Sequence, residues 1–384
     1  MHPPAQRCRP SDPPAGHQRT RGHVLGSVAA RPSAAAGRRL TKTAISNIFI
    51  APREERDVRN QALQRPLLGA LASVALLTTV AACGGADAGT AAKADGKLET
   101  TNLKVGIVPV IDHAAVFIAN QQGFFKEEGL TVETQAVQGG AAAVPALMSG
   151  DLQAAFATYP SFLLAESQNL GVTIVAEGVR ATETTGGVYV AATSSIKDAA
   201  GLAGKTIAVN TLNNTGDITI KAVLKEQGVD PGTVKFIELP FPDMKPALDK
   251  GSVDAAWLVE PFRTAVAGAG GRMVLKSYSG VAEGIPVSGL GMSDAFVAKN
   301  PDTAAAFGRA VEKANAYIAA DPERARQIVT TYSQTKPEQA AAMELPKWTA
   351  GKPDVDQLTR WNDLMVQTGA LTKPVDVAAM VLGK

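Results

Sequence analysis

Between the β-rich run KTIAV (205–209) and a helical pattern, the chain crowds Asn210, Thr211, Asn213, Asn214, Thr215, Gly216 and Asp217. A junction of this kind can present backbone amides to an oxyanion, because Asn and Gly tolerate unusual backbone angles and Thr or Asn adds side-chain hydrogen bonds. Helix capping alone would need one such residue, so Asn213, Asn214, Thr215 and Gly216 are read as ligand-binding. A second signal is the strand DAAWLVEP, which ends in Glu260-Pro261 and sets a carboxylate where proline turns the chain. Trp257 on that strand reads as core. Gln138-Gly139-Gly140 opens a helix where glycine lets a backbone approach a ligand; an ordinary tight turn fits equally well. Asp112 fits an N-cap, and His113 could donate to an anion, stack on a ring or sit exposed in a loop. Thr158 and Tyr159 offer hydroxyls before Pro160, a first-turn residue, although Tyr159 could instead pack within its own lobe.

Catalytic and metal arrangements are poorly supported. The chain has no G-x-S-x-G elbow, P-loop, dinucleotide glycine fingerprint or H-E-x-x-H. A Ser-His-Asp triad could draw only on His113, the one histidine beyond Cys83. One Cys and one His cannot make a Cys/His zinc site, and Cys83 has no internal disulfide partner in that body. No cofactor and no metal are expected. The formal charge of +2 over 384 residues hides an asymmetry: up to Ala82 there are 12 Lys/Arg and 4 Asp/Glu, leaving 26 against 32. The body is acidic, which disfavours nucleic acid as a partner.

Leu67 to Ala82 is a 16-residue run without charge that ends in small residues before Cys83. It is short for a spanning helix, which needs about 20 apolar residues, and reads as an export signal. A membrane anchor is the alternative. A normal charged start at Val58 would make 58–82 the signal peptide and 83–102 a flexible linker. Residues 1–57 are then expected to be an over-extended gene reading or a disordered leader, in which Arg38-Arg39 carries no weight.

The elements that must position the candidate residues alternate. Strands are expected at 103–108, 130–135, 154–158, 172–179, 188–192, 205–209, 234–239, 255–259 and 273–277. Helices are expected at 114–128, from 144, at 161–169, 216–227 and 244–250, and from about Pro261. This is an α/β pattern with mostly parallel sheets, and two such units imply two lobes. Ala-rich amphipathic helices follow Gly289 as packing elements. Ligands bind beyond the carboxyl ends of parallel strands, where the candidate residues fall.

From about Leu103 to Met292 the chain resembles the substrate-binding lipoproteins of ABC importers in the nitrate/taurine/alkanesulfonate group, SsuA-like and NMT1-like. The resemblance rests on KVGIVPV (104–110), ANQQGFFKEEGL (119–130), LMSGDLQAA (147–155), IKD (196–198) with GKTIAV (204–209), Leu248 to Asp254-Ala255, and Glu260-Pro261. It implies a type II periplasmic-binding-protein fold: lobe 1 from 103–187 plus 289–384, lobe 2 from 188–288, a ligand cleft between them and a helical C-terminal tail. The crossings would lie near Thr185–Val188 and Ile285–Gly289. The implied function is extracytoplasmic solute capture by hinge closure and delivery to a permease with its ATPase, with no covalent chemistry. A monomer is expected. Val80-Ala81-Ala82-Cys83 resembles a lipobox, so Cys83 would be lipidated and anchor the protein on the outer face of the cell membrane. The expected solute is a small organic anion such as an alkanesulfonate, taurine or nitrate. Asp112, Asp217 and Glu260 instead favour a thiamine-precursor pyrimidine, riboflavin or related heterocycle unless they act as caps. An enzyme on the same scaffold is a remote alternative, since the cysteine-rich motif of such enzymes is absent.

Overall fold

The computed structural model describes residues 97–383; the leader, the apolar run, Cys83 and the linker up to residue 96 lie outside the described residues. The body opens with β1 (Asn102–Ile107), in which Leu103 and Val105 are buried and Asn102 and Lys104 exposed, the period of a strand with one covered face. A short turn leads to α1 (Ala114–Gln121). The helix expected over 114–128 is interrupted at Gly123, whose φ is 78°, and restarts as α2 (Phe124–Glu127). Next come β2 (Thr131–Ala136), α3 (Gly140–Ser149), β3 (Ala154–Thr158), α4 (Tyr159–Ser167), β4 (Val172–Glu177) and the two-residue β5 (Val179–Arg180). The chain then crosses to the second lobe through residues 181–185. Gly186 and Gly187 already belong to β6 (Gly186–Val190), earlier than the boundary expected at 187.

The second lobe continues with β7 (Thr206–Val209), α5 (Thr215–Glu226), β8 (Lys235–Glu238), α6 (Phe241–Asp249), β9 (Ala255–Val259), α7 (Phe262–Gly268) and β10 (Arg272–Lys276). Its sheet runs β8-β7-β9-β6-β10, with β7 parallel to β8 and β9 and β6 antiparallel to β9 and β10. After the second crossing, β11 (Ser288–Ser293) enters the first lobe's sheet between β3 and β4, antiparallel to both. That sheet runs β2-β1-β3-β11-β4. Each lobe therefore repeats one plan, in which three parallel strands are joined by an antiparallel strand that has just arrived from the other lobe.

No strand is expected at SGLGMS, which has no β-branched residue and two glycines. Its place comes from α4, whose Tyr159 and Phe162 rings lie against Gly289 and Gly291. The tail comprises α8 (Asp294–Lys299), α9 (Pro301–Ala320), α10 (Glu323–Tyr332), α11 (Pro337–Ala341), β12 (Lys347–Trp348) and α12 (Val355–Gln367). Phe307 on α9 stacks on Phe125 with ring centroids 5.2 Å apart, fastening the tail to lobe 1. Trp361 on α12 donates its indole N–H to the Pro286 carbonyl (2.7 Å), and Arg360 donates to the carbonyls of Val281 and Glu283 (2.9 and 2.8 Å). The tail thus grips the second crossing as well as lobe 1. Among the described residues no helix is long and apolar enough to cross a membrane.

Candidate functional site

The carboxyl ends of β1 and β3 face those of β7 and β9, and the loops leaving them meet. At the centre is Asn214, the N-cap of α5. Its Oδ1 accepts from the Thr158 hydroxyl (2.6 Å) and from the Thr215 N–H (2.7 Å), while its Nδ2 donates to Ser161 Oγ (2.7 Å). Thr158 ends β3 and Ser161 lies on the first turn of α4, so one buried asparagine joins the two lobes by two side-chain hydrogen bonds. Beside it, a Cβ placed on Gly139 would stand 3.1 Å from Thr211 Oγ1, which sets the loop after β2 against the loop after β7. On the other flank the Ile111 N–H donates to the Glu260 carbonyl (3.3 Å). At each of these places the lobes touch along the seam.

Gly140 lets α3 pack tightly within the first lobe. A Cβ there would lie 2.7 Å from both Ala157 Cβ and Ser161 Cβ, so the start of α3 can lean on β3 and α4 only without a side chain. α3 has no side-chain cap, leaving its first N–H groups free of that partner. Gln138, next to it, is exposed. Asn213 holds a left-handed φ of 52° immediately before the Asn214 cap and is exposed. Thr215 and Gly216 are buried in the first turn of α5.

The three carboxylates separate by role. Asp217 completes a capping box: its Oδ1 accepts from the Asn214 N–H (2.8 Å) and its Oδ2 from Lys221 (2.7 Å). Glu260 is fully buried, and protein donors surround its carboxylate: the Glu344 N–H (3.0 Å), the Thr264 hydroxyl (2.9 Å) and N–H (3.2 Å), with Arg263 at 3.6 Å. Burial raises its pKa, and the Glu344 amide and Arg263 oppose that rise. These partners tie the end of β9 to the tail. Asp112 behaves differently. The capping expectation fails, since α1 starts at Ala114 without any side-chain cap, and Asp112 sits in the preceding turn. Its Oδ1 is buried without a hydrogen-bond partner, and burial pushes its pKa up to about 7.

His113 is not an exposed loop residue. It is 1% exposed, its ring lies tilted against Phe156, and Nδ1 accepts from the Val108 N–H (3.2 Å). Burial lowers its pKa well below the usual imidazole value, so the ring is neutral at neutral pH. Trp257 is core, as expected, with its indole N–H donating to Ser277 Oγ at 3.0 Å. Tyr159 is fully buried and its hydroxyl has no partner.

Eight buried side-chain polar atoms lack a partner among the described residues, and five of them belong to residues around this seam. They are Asp112 Oδ1 and the hydroxyls of Tyr159, Thr215, Tyr278 and Ser288. Both lobes and the second crossing contribute. Ser288 pairs with Thr158 across the β11–β3 ladder, and Tyr278 lies near enough to Asp112 for that carboxylate to raise its pKa. An unmatched buried polar group costs about 1–3 kcal/mol, and these five, four hydroxyls and one carboxylate oxygen, cluster at the seam. A groove of roughly 580 Å³ opens beside the loop carrying Asp112, lined by Pro109 of lobe 1, Pro261 and Phe262 of lobe 2, and Tyr332 of the tail.

Thr211, Ser161, Tyr278 and Ser288 lay outside the sequence-based set. Ser161 had a weak signal in its spacing of one helical turn from Thr158, and Thr211 lay inside the polar loop already singled out. Tyr278 and Ser288 had none: Tyr278 lies in the second crossing and Ser288 opens β11, with no motif around either.

Comparison with known proteins agrees with this architecture. Residues 110–325 match the family model described as NMT1/THI5 like. The taurine-binding periplasmic protein of Escherichia coli is 28% identical over 198 residues, spanning 51% of this chain and 60% of the relative. The alkanesulfonate-binding protein SsuA of Xanthomonas axonopodis, solved bound to MOPS, superposes with a TM-score of 0.62 at 17% identity, covering 74% of this chain and 99% of that one. The periplasmic nitrate-binding protein NrtA of Synechocystis gives a TM-score of 0.64 at 19% identity, covering 74% and 86%.

Proposed function

The chain belongs to the NMT1/THI5-like family, and from that premise we propose that it is the extracytoplasmic solute-binding component of an ABC importer. It captures a small solute with an oxyanion group, in the class of alkanesulfonates, taurine and nitrate, and hands it unaltered to a permease with its ATPase. The chain acts as a monomer, held at the membrane by lipid on Cys83. The observation that carries the reading is the seam itself, where a hydrogen-bonded clasp from both lobes adjoins partnerless buried hydroxyls from both lobes and a crossing. A solute touching both lobes would stabilise the clasped form, and a permease can distinguish that form from an open one. The uncapped start of α3 and the hydroxyls of Thr215, Ser288 and Tyr159 supply donors for anionic oxygens.

The test is small-angle scattering and thermal unfolding of the protein with a panel of sulfonates, nitrate, pyrimidines and flavins. A binding member should compact the particle and, at 100 times its dissociation constant, add about 2.7 kcal/mol of stability. An unchanged particle with every solute, or recovery of a solute chemically altered, would refute the proposal.

A further inference from the structure

Resting on the solute-binding reading, the bonds of Glu260 divide by what would survive separation of the lobes. The hydroxyl and N–H of Thr264, which both donate to its carboxylate, lie on α7, and so does Arg263 at 3.6 Å. These groups belong to lobe 2 and travel with Glu260. Two further donors come from lobe 1. The Glu344 N–H of the tail reaches Oε1 (3.0 Å), and the Ile111 N–H of the turn after β1 reaches the backbone carbonyl (3.3 Å). Only these two bonds are lost if the lobes part. Glu344 also closes a circuit. Its own carboxylate accepts from the Thr184 hydroxyl (3.3 Å), the Thr184 carbonyl accepts from Arg263, and Arg263 stands beside Glu260. One ring of four residues therefore joins lobe 2, the tail and the first crossing.

Both oxygens of this fully buried carboxylate already have protein donors: Oε1 the Thr264 hydroxyl and the Glu344 N–H, Oε2 the Thr264 N–H. A charge-assisted bond that spans the lobes strengthens the closed form alone. We infer that Glu260 is an interlobe latch, a positioning residue that fixes closure through Glu344 and the first crossing and sets solute affinity without touching the solute. Removing a contact made only in the closed form lowers the population of that form. The apparent dissociation constant then rises by one factor, whatever the solute. A residue in contact with the solute would instead change some affinities and spare others.

The test uses the full chain and the panel of sulfonates, nitrate, pyrimidines and flavins, with affinities from calorimetry and amide hydrogen exchange read by mass spectrometry. Glu260→Ala is expected to weaken every solute that binds by a common factor of at least about tenfold. Glu260→Gln keeps an oxygen for the Glu344 N–H and should recover part of that loss. If the Ala variant does not fold, Thr264→Val takes its place: it removes one donor that aims the carboxylate, and a smaller common factor is expected. In the unsubstituted chain, exchange in the peptides holding Ile111 and Glu344 should slow together at solute saturation. A factor that differs from solute to solute, or affinities unchanged by the substitutions, overturns the proposal. Exchange at both peptides that ignores a bound solute also overturns it while leaving solute capture intact. No binding of any panel member by the unsubstituted chain removes the solute-binding reading, and this inference with it.

Discussion

Asp112 and Asn214 show how two short polar residues at strand ends come to different uses. Asn214 is saturated: it bonds Thr158, Ser161 and the start of its own helix. Asn214→Ala removes a cap and both lobe-bridging bonds, with an expected loss of about 1–2 kcal/mol from the cap alone. Solute affinity should fall, and scattering should show a more open particle at equal solute concentration; unchanged values of both would remove Asn214 from the clasp. Asp112 is unsaturated, and its titration leaves a mark on the solute-free protein. Its folded pKa of about 7 lies above the ordinary 3.8, so the folded state binds the extra proton between those values. Stability is then full below about pH 4 and declines as pH rises through about 7, by on the order of 4 kcal/mol at most. Asp112→Asn should flatten that decline in urea melts from pH 5 to 8, and an unchanged slope would assign it to another group. Glu260, by contrast, is held by protein donors, so Glu260→Ala should lower the melting temperature by stranding the Glu344 and Thr264 amides, an effect read by calorimetry without solute.

Helix starts and strand ends bring these residues together. α3 can lean on β3 and α4 because Gly140 has no side chain, and Gly140→Val should cost about 1–3 kcal/mol of overpacking, measured by chemical denaturation. It should also weaken solute binding by displacing the loop at Gly139. Most elements were legible along the chain. β3 and β9 matched residue for residue, since AAFAT and AAWLV are apolar runs of strand length bounded by polar or turn residues. β11 escaped because its burial depends on rings presented by α4, a contact remote in sequence. The break at Gly123 escaped because helical periodicity continues on both sides of it.

For the molecule as a whole, the repeated sheet plan runs each crossing directly into an antiparallel strand, so the proposed closure would have to be absorbed in 181–185 and 277–287. Trp361 and Arg360 of α12 hold the second of these. Trp361→Phe, which keeps the ring but loses the bond to Pro286, should alter the solute dependence of scattering more than it alters affinity measured at equilibrium; equal effects on both would argue against a hinge there. Composition, motif spacing and the alternation of strands and helices were enough to identify the two-lobed α/β class, the family likeness and the strand-end loops that hold the candidate residues, because those properties follow from local pattern and residue chemistry. Which of three similar carboxylates is a cap, which is a brace and which is left without a donor could be learned only from the folded chain. Hydrogen-bond saturation depends on atoms that lie far apart in sequence, as Glu344 lies from Glu260 and Asn214 from Thr158.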